Sequence, residues 1–267
     1  MFIVKVPGIN GQGKTKGYEK AGNAVLNALK EIHSNESGFL INSQKLDIEE
    51  IHLDNSDLKL TNKLIYKNSF DIFETKPKTV FLGGDHFISY SLCRAFLDYC
   101  QNSGKEPCLI VFDSHPGCVD SAGKPEHESW LRVLVDEGFP PENILLVGIR
   151  NSTFSESEFV LNKKIKVISM NQLLLNLEDS CDAIMEFSNK KELYISINLS
   201  IIDPAFAPGA DYRAEPGGLS SREFIYLIQR INKIKNLRSV DIVGINPEKD
   251  INGNTVKLGA KILSEFL

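Results

Sequence analysis

Residues 194–219 of the chain read YISINLSIIDPAFAPGADYRAEPGGL, an apolar strand followed by a turn-rich loop. Proline fixes φ in Asp203-Pro204 and glycine permits a tight bend in Pro208-Gly209, so both pairs predict turns. Ser220 and Glu223 follow at the spacing of a capping box, which predicts the start of a helix. The stretch therefore predicts a strand, a loop and a helix in that order.

The same alternation of strand and helix continues along the chain, which predicts an α/β protein with a mostly parallel sheet and helices on both faces. The predicted strands are Phe2–Val6, Thr79–Leu82, Cys108–Phe112, Asn143–Val147, Ile165–Ile168, Glu192–Leu199 and Ser239–Ile245. The predicted helices include Ala21–Ile32, Ser89–Tyr99, Glu128–Glu137 and Arg222–Ile231. No linker divides the chain, so we expect one domain over residues 1–267, with the polar region 34–69 as a surface elaboration.

Composition and charge exclude several classes of protein. A net charge of -5 argues against a nucleic-acid or anionic-membrane partner, because both favour basic patches. The five cysteines include no C-x-x-C pair, which is typical of reduced thiols in the cytoplasm. No apolar run is long enough to span a bilayer, and the first residues are not typical of a signal peptide. We expect a soluble, cytoplasmic protein without nucleic-acid or membrane partners.

Residues 8–15, GINGQGKT, fit the P-loop pattern G-x-x-x-x-G-K-[ST] and follow a predicted strand. A P-loop helix should begin at Lys14 and continue without interruption. Here Gly17 and Gly22 interrupt the segment, and apolar periodicity begins only near Val25. These breaks favour a glycine-rich loop, and a nucleotide-binding P-loop remains the alternative.

Three more segments carry residues capable of chemistry, and each lies near a strand end or a helix start. The first is GGDH at residues 83–86, the second is DSHPG at residues 113–117, and the third is HESW at residues 127–130. Ligands in parallel sheets bind at the carboxyl ends of the strands, so these segments could meet there. Taken singly, His86 and His115 favour hydrogen-bonded core residues, His127 an exposed residue near a helix start, and Trp130 a packing residue.

Together with residues 194–219, these segments resemble the motifs of the arginase–agmatinase (ureohydrolase) family over residues 80–247. That family carries GGDHS, D-A-H-x-D, a histidine before a helix, and S-x-D-x-D-x-x-D-P-A-x-A-P-G followed by a PGGL-like stretch. Between Gly209 and Glu215 this chain is one residue longer than the usual pattern. The resemblance implies a three-layer α/β/α fold and assembly with itself or a related subunit as a trimer or hexamer. It also implies hydrolysis of guanidino C–N bonds by hydroxide bound to two Mn²⁺ ions.

The resemblance implies the positions of the metal ligands as well. His86, Asp113 and His115 match ligands of the family and are retained. Three other ligand positions have lost their carboxylates and are occupied by Gly117, Asn198 and Ser200.

Two further positions concern catalysis and substrate binding. His127 matches a histidine that is implied to shuttle protons, and we expect this role to be vestigial here. Gly244 occupies the position of a glutamate that is implied to help hold the guanidinium group.

The lost carboxylates lead us to expect a degenerate metal site. Two divalent cations repel each other and need several carboxylates to hold them, whereas this set retains only Asp113. We therefore expect no cofactor, no hydrolysis, and a binding or regulatory role with a small-molecule ligand or another subunit. The alternative is an active amidino or guanidino hydrolase with one Zn²⁺ or Mn²⁺ ion on His86, Asp113 and His115, with Cys118 or Asp120 recruited from the adjacent loop.

Overall fold

Eight strands form one parallel sheet in the computed structural model, which describes residues 1–267. The strands are β1 (Phe2–Val6), β2 (Asp47–Glu50), β3 (Thr79–Gly83), β4 (Pro107–Phe112), β5 (Ile144–Ile149), β6 (Lys166–Ser169), β7 (Glu192–Asn198) and β8 (Leu237–Val243). Their order across the sheet is β2-β1-β3-β8-β7-β4-β5-β6. Every neighbouring pair is parallel.

Helices cover both faces of this sheet and make the protein a three-layer α/β/α structure. They are α1 (Ala21–Leu29), α2 (Leu58–Thr75), α3 (Phe87–Asn102), α4 (Trp130–Asp136), α5 (Phe154–Lys163), α6 (Met170–Leu175), α7 (Leu177–Phe187), α8 (Ser221–Ile231) and α9 (Asn254–Phe266). Residues from α1, α8 and α9 pack on one face around Ile3 and Val80. Residues from α2, α3 and α4 pack on the other face around Val4 and Phe81. The successive residues Ile3 and Val4 point to opposite faces because side chains alternate along a strand.

The predicted α/β class and parallel sheet are confirmed, and the predicted strands and helices end within three residues of those observed. The Ser220–Glu223 capping box is present at the start of α8. The prediction for residues 34–69 was incomplete, because this region contains β2 and the first part of α2. Strand β2 has the sequence DIEE and is largely exposed at the edge of the sheet, so it lacks the apolar pattern that indicates a buried strand. No helix combines the length and apolar character needed to cross a membrane.

The P-loop alternative is not supported. Helix α1 starts at Ala21, well beyond Lys14, and Gly17 before it adopts φ 101°. The loop is instead held by Asp85, whose Oδ2 accepts a hydrogen bond from the Asn10 backbone N–H at 2.8 Å. Residues 8–15 are therefore a loop packed onto the end of β3.

The carboxyl ends of four neighbouring strands carry the residues that the sequence analysis selected. Asn198 ends β7, Asp113 follows β4, His86 lies just beyond β3, and Gly244 follows β8. Because β3, β8, β7 and β4 are adjacent in this order, these residues meet where the four strands end. We call this side of the sheet, formed by the carboxyl ends of the strands, its carboxyl edge.

Gly84 allows the loop after β1 to approach this edge closely. Its N–H donates to the Val6 carbonyl at 3.1 Å, and the Asp85 N–H donates to the Gly8 carbonyl at 3.1 Å. A Cβ atom on residue 84 would lie 2.2 Å from the Gly8 carbonyl oxygen. The contact is with backbone, so it cannot be relieved by a change of rotamer.

We therefore expect Gly84→Ala to lower the free energy of unfolding by about 2–3 kcal/mol through overpacking, measured by urea denaturation. Gly104→Ala is the control, since Gly104 has φ 64° but no atom within 4 Å of a Cβ position. Its expected loss is about 1 kcal/mol from backbone strain alone. Equal losses of unfolding free energy in the two variants would contradict the close approach of the backbone at Gly84.

Candidate functional site

Five buried polar side chains form a network at the carboxyl edge of the sheet: His86, Asp113, His127, Asn198 and Asp211. Three of them follow or end strands β3, β4 and β7, His127 lies just before α4, and Asp211 lies on the loop after β7. Buried polar groups are costly unless they are hydrogen-bonded, so the partners of each group determine what the site can do.

The amide of Asn198 links two carboxylates. Its Oδ1 accepts a hydrogen bond from the Ser200 backbone N–H at 3.0 Å, which fixes the orientation of the amide because a backbone N–H can only donate. Its Nδ2 therefore faces Asp113 Oδ2 and Asp211 Oδ2, each at 3.1 Å. Asn198 thus places an N–H donor between two buried carboxylates.

Asp113 is surrounded by donors. Ser200 Oγ donates to its Oδ1 at 2.5 Å, the His115 backbone N–H donates to the same oxygen at 3.1 Å, and His86 Nδ1 lies 2.9 Å from Oδ2. Burial alone would raise the pKa of Asp113, but the hydrogen bond and charge of His86 outweigh it and hold the pKa below its usual range. Asp113 is therefore a buried carboxylate whose oxygens are occupied by protein donors.

His127 and Asp211 form the second half of the network. His127 Nδ1 accepts a hydrogen bond from the His86 backbone N–H at 3.0 Å, so its proton lies on Nε2. That Nε2 lies 2.5 Å from Asp211 Oδ2, so the ring is in close contact with a carboxylate, although the contact lacks well-aligned hydrogen-bond geometry. Burial would raise the pKa of Asp211 and lower that of His127, but the attraction of each group for the charged form of the other outweighs burial, so the pKa of Asp211 is lowered and that of His127 is raised.

Trp130 fills the space beside His86. The two rings lie 4.5 Å apart between centroids, and the indole is fully buried. A Cβ atom on Gly117 would lie 2.8 Å from Trp130 Nε1, and Gly117 has φ 68°, which a side chain disfavours. The indole therefore occupies the space that a side chain at residue 117 would enter.

Gly244 allows a second close approach. A Cβ atom at this position would lie 2.2 Å from Asn198 Oδ1, and the φ of Gly244 is 75°. A glutamate at residue 244 is incompatible with the present position of Asn198.

The structure brings His86 and Asp113 together but turns the His115 ring away from them. His115 Nδ1 faces Ser114 Oγ at 2.7 Å, and its Nε2 lies 3.3 Å from Glu215 Oε1. No three His, Cys, Asp or Glu side chains are arranged so that they could hold a metal ion.

The other two residues considered as ligands lie apart from the network. The Cys118 thiol donates to the Pro116 carbonyl at 3.4 Å, and burial raises the pKa of that thiol. Asp120 is exposed and pairs with Arg132 at 3.2 Å.

Sequence reasoning missed Asp211 and Arg213. Both lie on the loop between Gly209 and Glu215, where the chain is one residue longer than the usual pattern of the family it resembles. That extra length was the available signal, because a changed loop at the carboxyl edge places new side chains over the site. Arg213 lines a cavity of about 480 Å³ that opens beside His115.

Comparisons with known proteins agree with this architecture. The family model described as "Arginase family" matches residues 1–267. An arginase from Staphylococcus aureus (strain MSSA476) is 26% identical over 246 residues, which is 85% of this chain and 80% of that protein.

Two solved structures show the same fold. Formimidoylglutamase from Bacillus subtilis has a TM-score of 0.90 at 23% identity, over 99% of this chain and 85% of that one. Proclavaminate amidino hydrolase from Streptomyces clavuligerus has a TM-score of 0.88 at 21% identity, over 99% of this chain and 89% of that one.

We expect Asn198→Asp to destabilise the metal-free protein, because a third carboxylate would then face Asp113 and Asp211 where an N–H donor now lies. The expected loss is about 3 kcal/mol in the free energy of unfolding, measured by urea denaturation in the presence of a chelator.

The matched control is Asn189→Asp at an exposed position, where we expect a change within about 0.5 kcal/mol. An Asn198→Asp protein as stable as the parent would show that the amide does not hold the two carboxylates together.

Proposed function

We propose that this chain, which belongs to the arginase family, has replaced the two-metal centre implied for that family with a hydrogen-bonded network and acts by binding rather than by hydrolysis. The observation that carries this proposal is the amide of Asn198, which donates towards Asp113 and Asp211 from a position where a carboxylate ligand is implied.

The chemistry of the donor set supports this proposal. Hard divalent cations such as Mn²⁺ prefer carboxylate oxygens, whereas an amide N–H is a donor and offers no lone pair to a cation. Ser200 also donates a hydrogen bond to Asp113 Oδ1. Asn198 and Ser200, which occupy two implied ligand positions, therefore both donate to the carboxylate that a metal would need. The residues present therefore do not fit a pair of Mn²⁺ ions.

The surrounding packing supports the same conclusion. Trp130 lies against Gly117, and Gly244 lies against Asn198, so neither glycine has room for a carboxylate side chain without rearrangement of its neighbour. Substitution of single residues would not restore the implied ligand set, because the neighbouring side chains have taken the vacated space.

An active hydrolase with a single metal ion has less support. It would need the His115 imidazole to turn towards His86 and Asp113, but that ring lies between Ser114 and Glu215. The exposed Asp120 or the hydrogen-bonded Cys118 would also need to move inward to complete the site.

Metal content and turnover test the proposal together. The protein is purified with Mn²⁺ or Zn²⁺ present, freed of unbound metal, and analysed for bound ions by elemental analysis. Hydrolysis of arginine, agmatine and formiminoglutamate is then measured with and without a chelator. We expect far less than one ion per chain and no chelator-sensitive hydrolysis, because the donor set does not fit the ions.

The Staphylococcus aureus arginase, treated identically, controls for loss of metal during purification. Near-stoichiometric metal in this chain, together with hydrolysis that a chelator abolishes, would overturn the proposal.

A further inference from the structure

A groove beside the edge strand β6 is separate from the buried network and has the volume of a small-molecule site. It encloses about 680 Å³, within the range of roughly 300–1,000 Å³ that is usual for ligand pockets. Its walls come from β6, the start of β5, the second half of α7 and the segment that leads into β7. None of its lining residues belongs to the network at the carboxyl edge.

Most of the wall of this groove is apolar. Leu145 is buried, Ile168 and Phe187 are half-buried, and Val167 and Ala183 are exposed. Hydrocarbon that covers such a surface removes apolar area from water on both partners, which favours binding. The groove therefore suits a ligand with an apolar body.

Two ammonium groups lie over the aromatic ring in this wall. Lys166 Nζ lies 5.1 Å and Lys191 Nζ 4.8 Å from the centroid of the Phe187 ring. Lys191 also donates to Asn143 Oδ1 at 2.9 Å. The Lys166 ammonium has no such acceptor, so its three N–H donors are available to a ligand.

The chain around the groove is basic, although the whole protein carries a net charge of -5. Residues 163–166 and 189–191 contain five lysines and no acid. Two of these lysines pair with acids outside the groove, and three are in no ion pair: Lys164, Lys166 and Lys190. Glu186 is the one acidic residue of the wall, and it is exposed to solvent. Unpaired cations therefore outnumber unpaired acids here, which favours an anionic ligand and opposes a cationic one.

The same features argue against a peptide that adds a strand to the sheet. Strand β6 has only four residues and carries Lys166 at its first position. Short, charged edge strands oppose pairing with another strand. A small amphiphile with one charged end needs no backbone pairing and fits the apolar wall and the free ammonium together.

We propose that this groove binds a free medium-chain fatty acid, whose hydrocarbon chain lies along Phe187 and Ile168 and whose carboxylate pairs with Lys166. The inference is independent of the proposed function, because it does not depend on metal content or on hydrolysis at the carboxyl edge. Lys166 is the specificity-determining residue, because it alone in the wall offers an ammonium without a protein acceptor.

The test compares three eight-carbon ligands that differ only in the charge of the end group: octanoate, octan-1-ol and octylammonium. Binding is measured by calorimetry below the micelle concentration of each. We expect one octanoate per chain, bound about fivefold or more tightly than octan-1-ol and more tightly still than octylammonium. Decanoate should bind about tenfold more tightly than octanoate, because two further methylene groups are buried.

Two variants separate the contributions of charge and of the apolar wall. Lys166→Gln should reduce the preference for octanoate over octan-1-ol to about twofold or less and leave the affinity for octan-1-ol unchanged. Ala183→Glu, at an exposed position of the wall, should weaken octanoate by about tenfold or more, since it adds an acid beside the ligand.

The control is Lys59→Gln, which removes the same charge at an exposed position of α2 and should bind all three ligands as the parent does. Thermal unfolding of each variant shows whether it is folded. The proposal is overturned if octanoate does not bind the parent protein, if it binds no more tightly than octan-1-ol, or if folded Lys166→Gln keeps the preference. Sedimentation with phosphatidylglycerol vesicles without any binding of octanoate would assign the lysines to a membrane surface and would also overturn it.

Discussion

The side-chain amide of Asn198 is the contact on which the candidate site depends. It lies between Asp113 and Asp211, two buried carboxylates that would otherwise face each other in a medium of low polarity, where like charges repel strongly. One amide cannot offset two charges, and His86 and His127 complete the arrangement by pairing with one carboxylate each. Protein donors thus stabilise both carboxylates.

Four aspartates are buried around this edge of the sheet, and the protein accommodates them in two ways. Asp113 and Asp211 lie beside histidines, which hold their pKa values down. Asp85 and Asp241 lack such a neighbour in direct contact and rely on backbone N–H or hydroxyl donors, and burial raises the pKa of both. The inner pair therefore lies beside imidazole rings, whereas the outer pair relies on backbone and hydroxyl donors.

The sequence predicted the sheet because apolar strands are local patterns, and the family resemblance implied that His86 and Asp113 lie in one site. It did not predict the directions of side chains. The His115 ring turns to Glu215 through contacts between residues far apart in the chain. Asp211 was missed because only a one-residue difference in loop length marked it. Strand β2 was missed because an exposed edge strand has no apolar alternation to detect.

The contact between Gly244 and Asn198 limits which substitutions the two positions can accept. A Cβ atom at residue 244 would lie 2.2 Å from the Asn198 amide oxygen, so any larger residue there requires Asn198 to have moved or changed already. The two positions are sterically coupled, so the effect of a substitution at 244 depends on the residue at 198. A glutamate could therefore be accommodated at residue 244 only together with a change at residue 198, so the two positions have to be engineered as a pair.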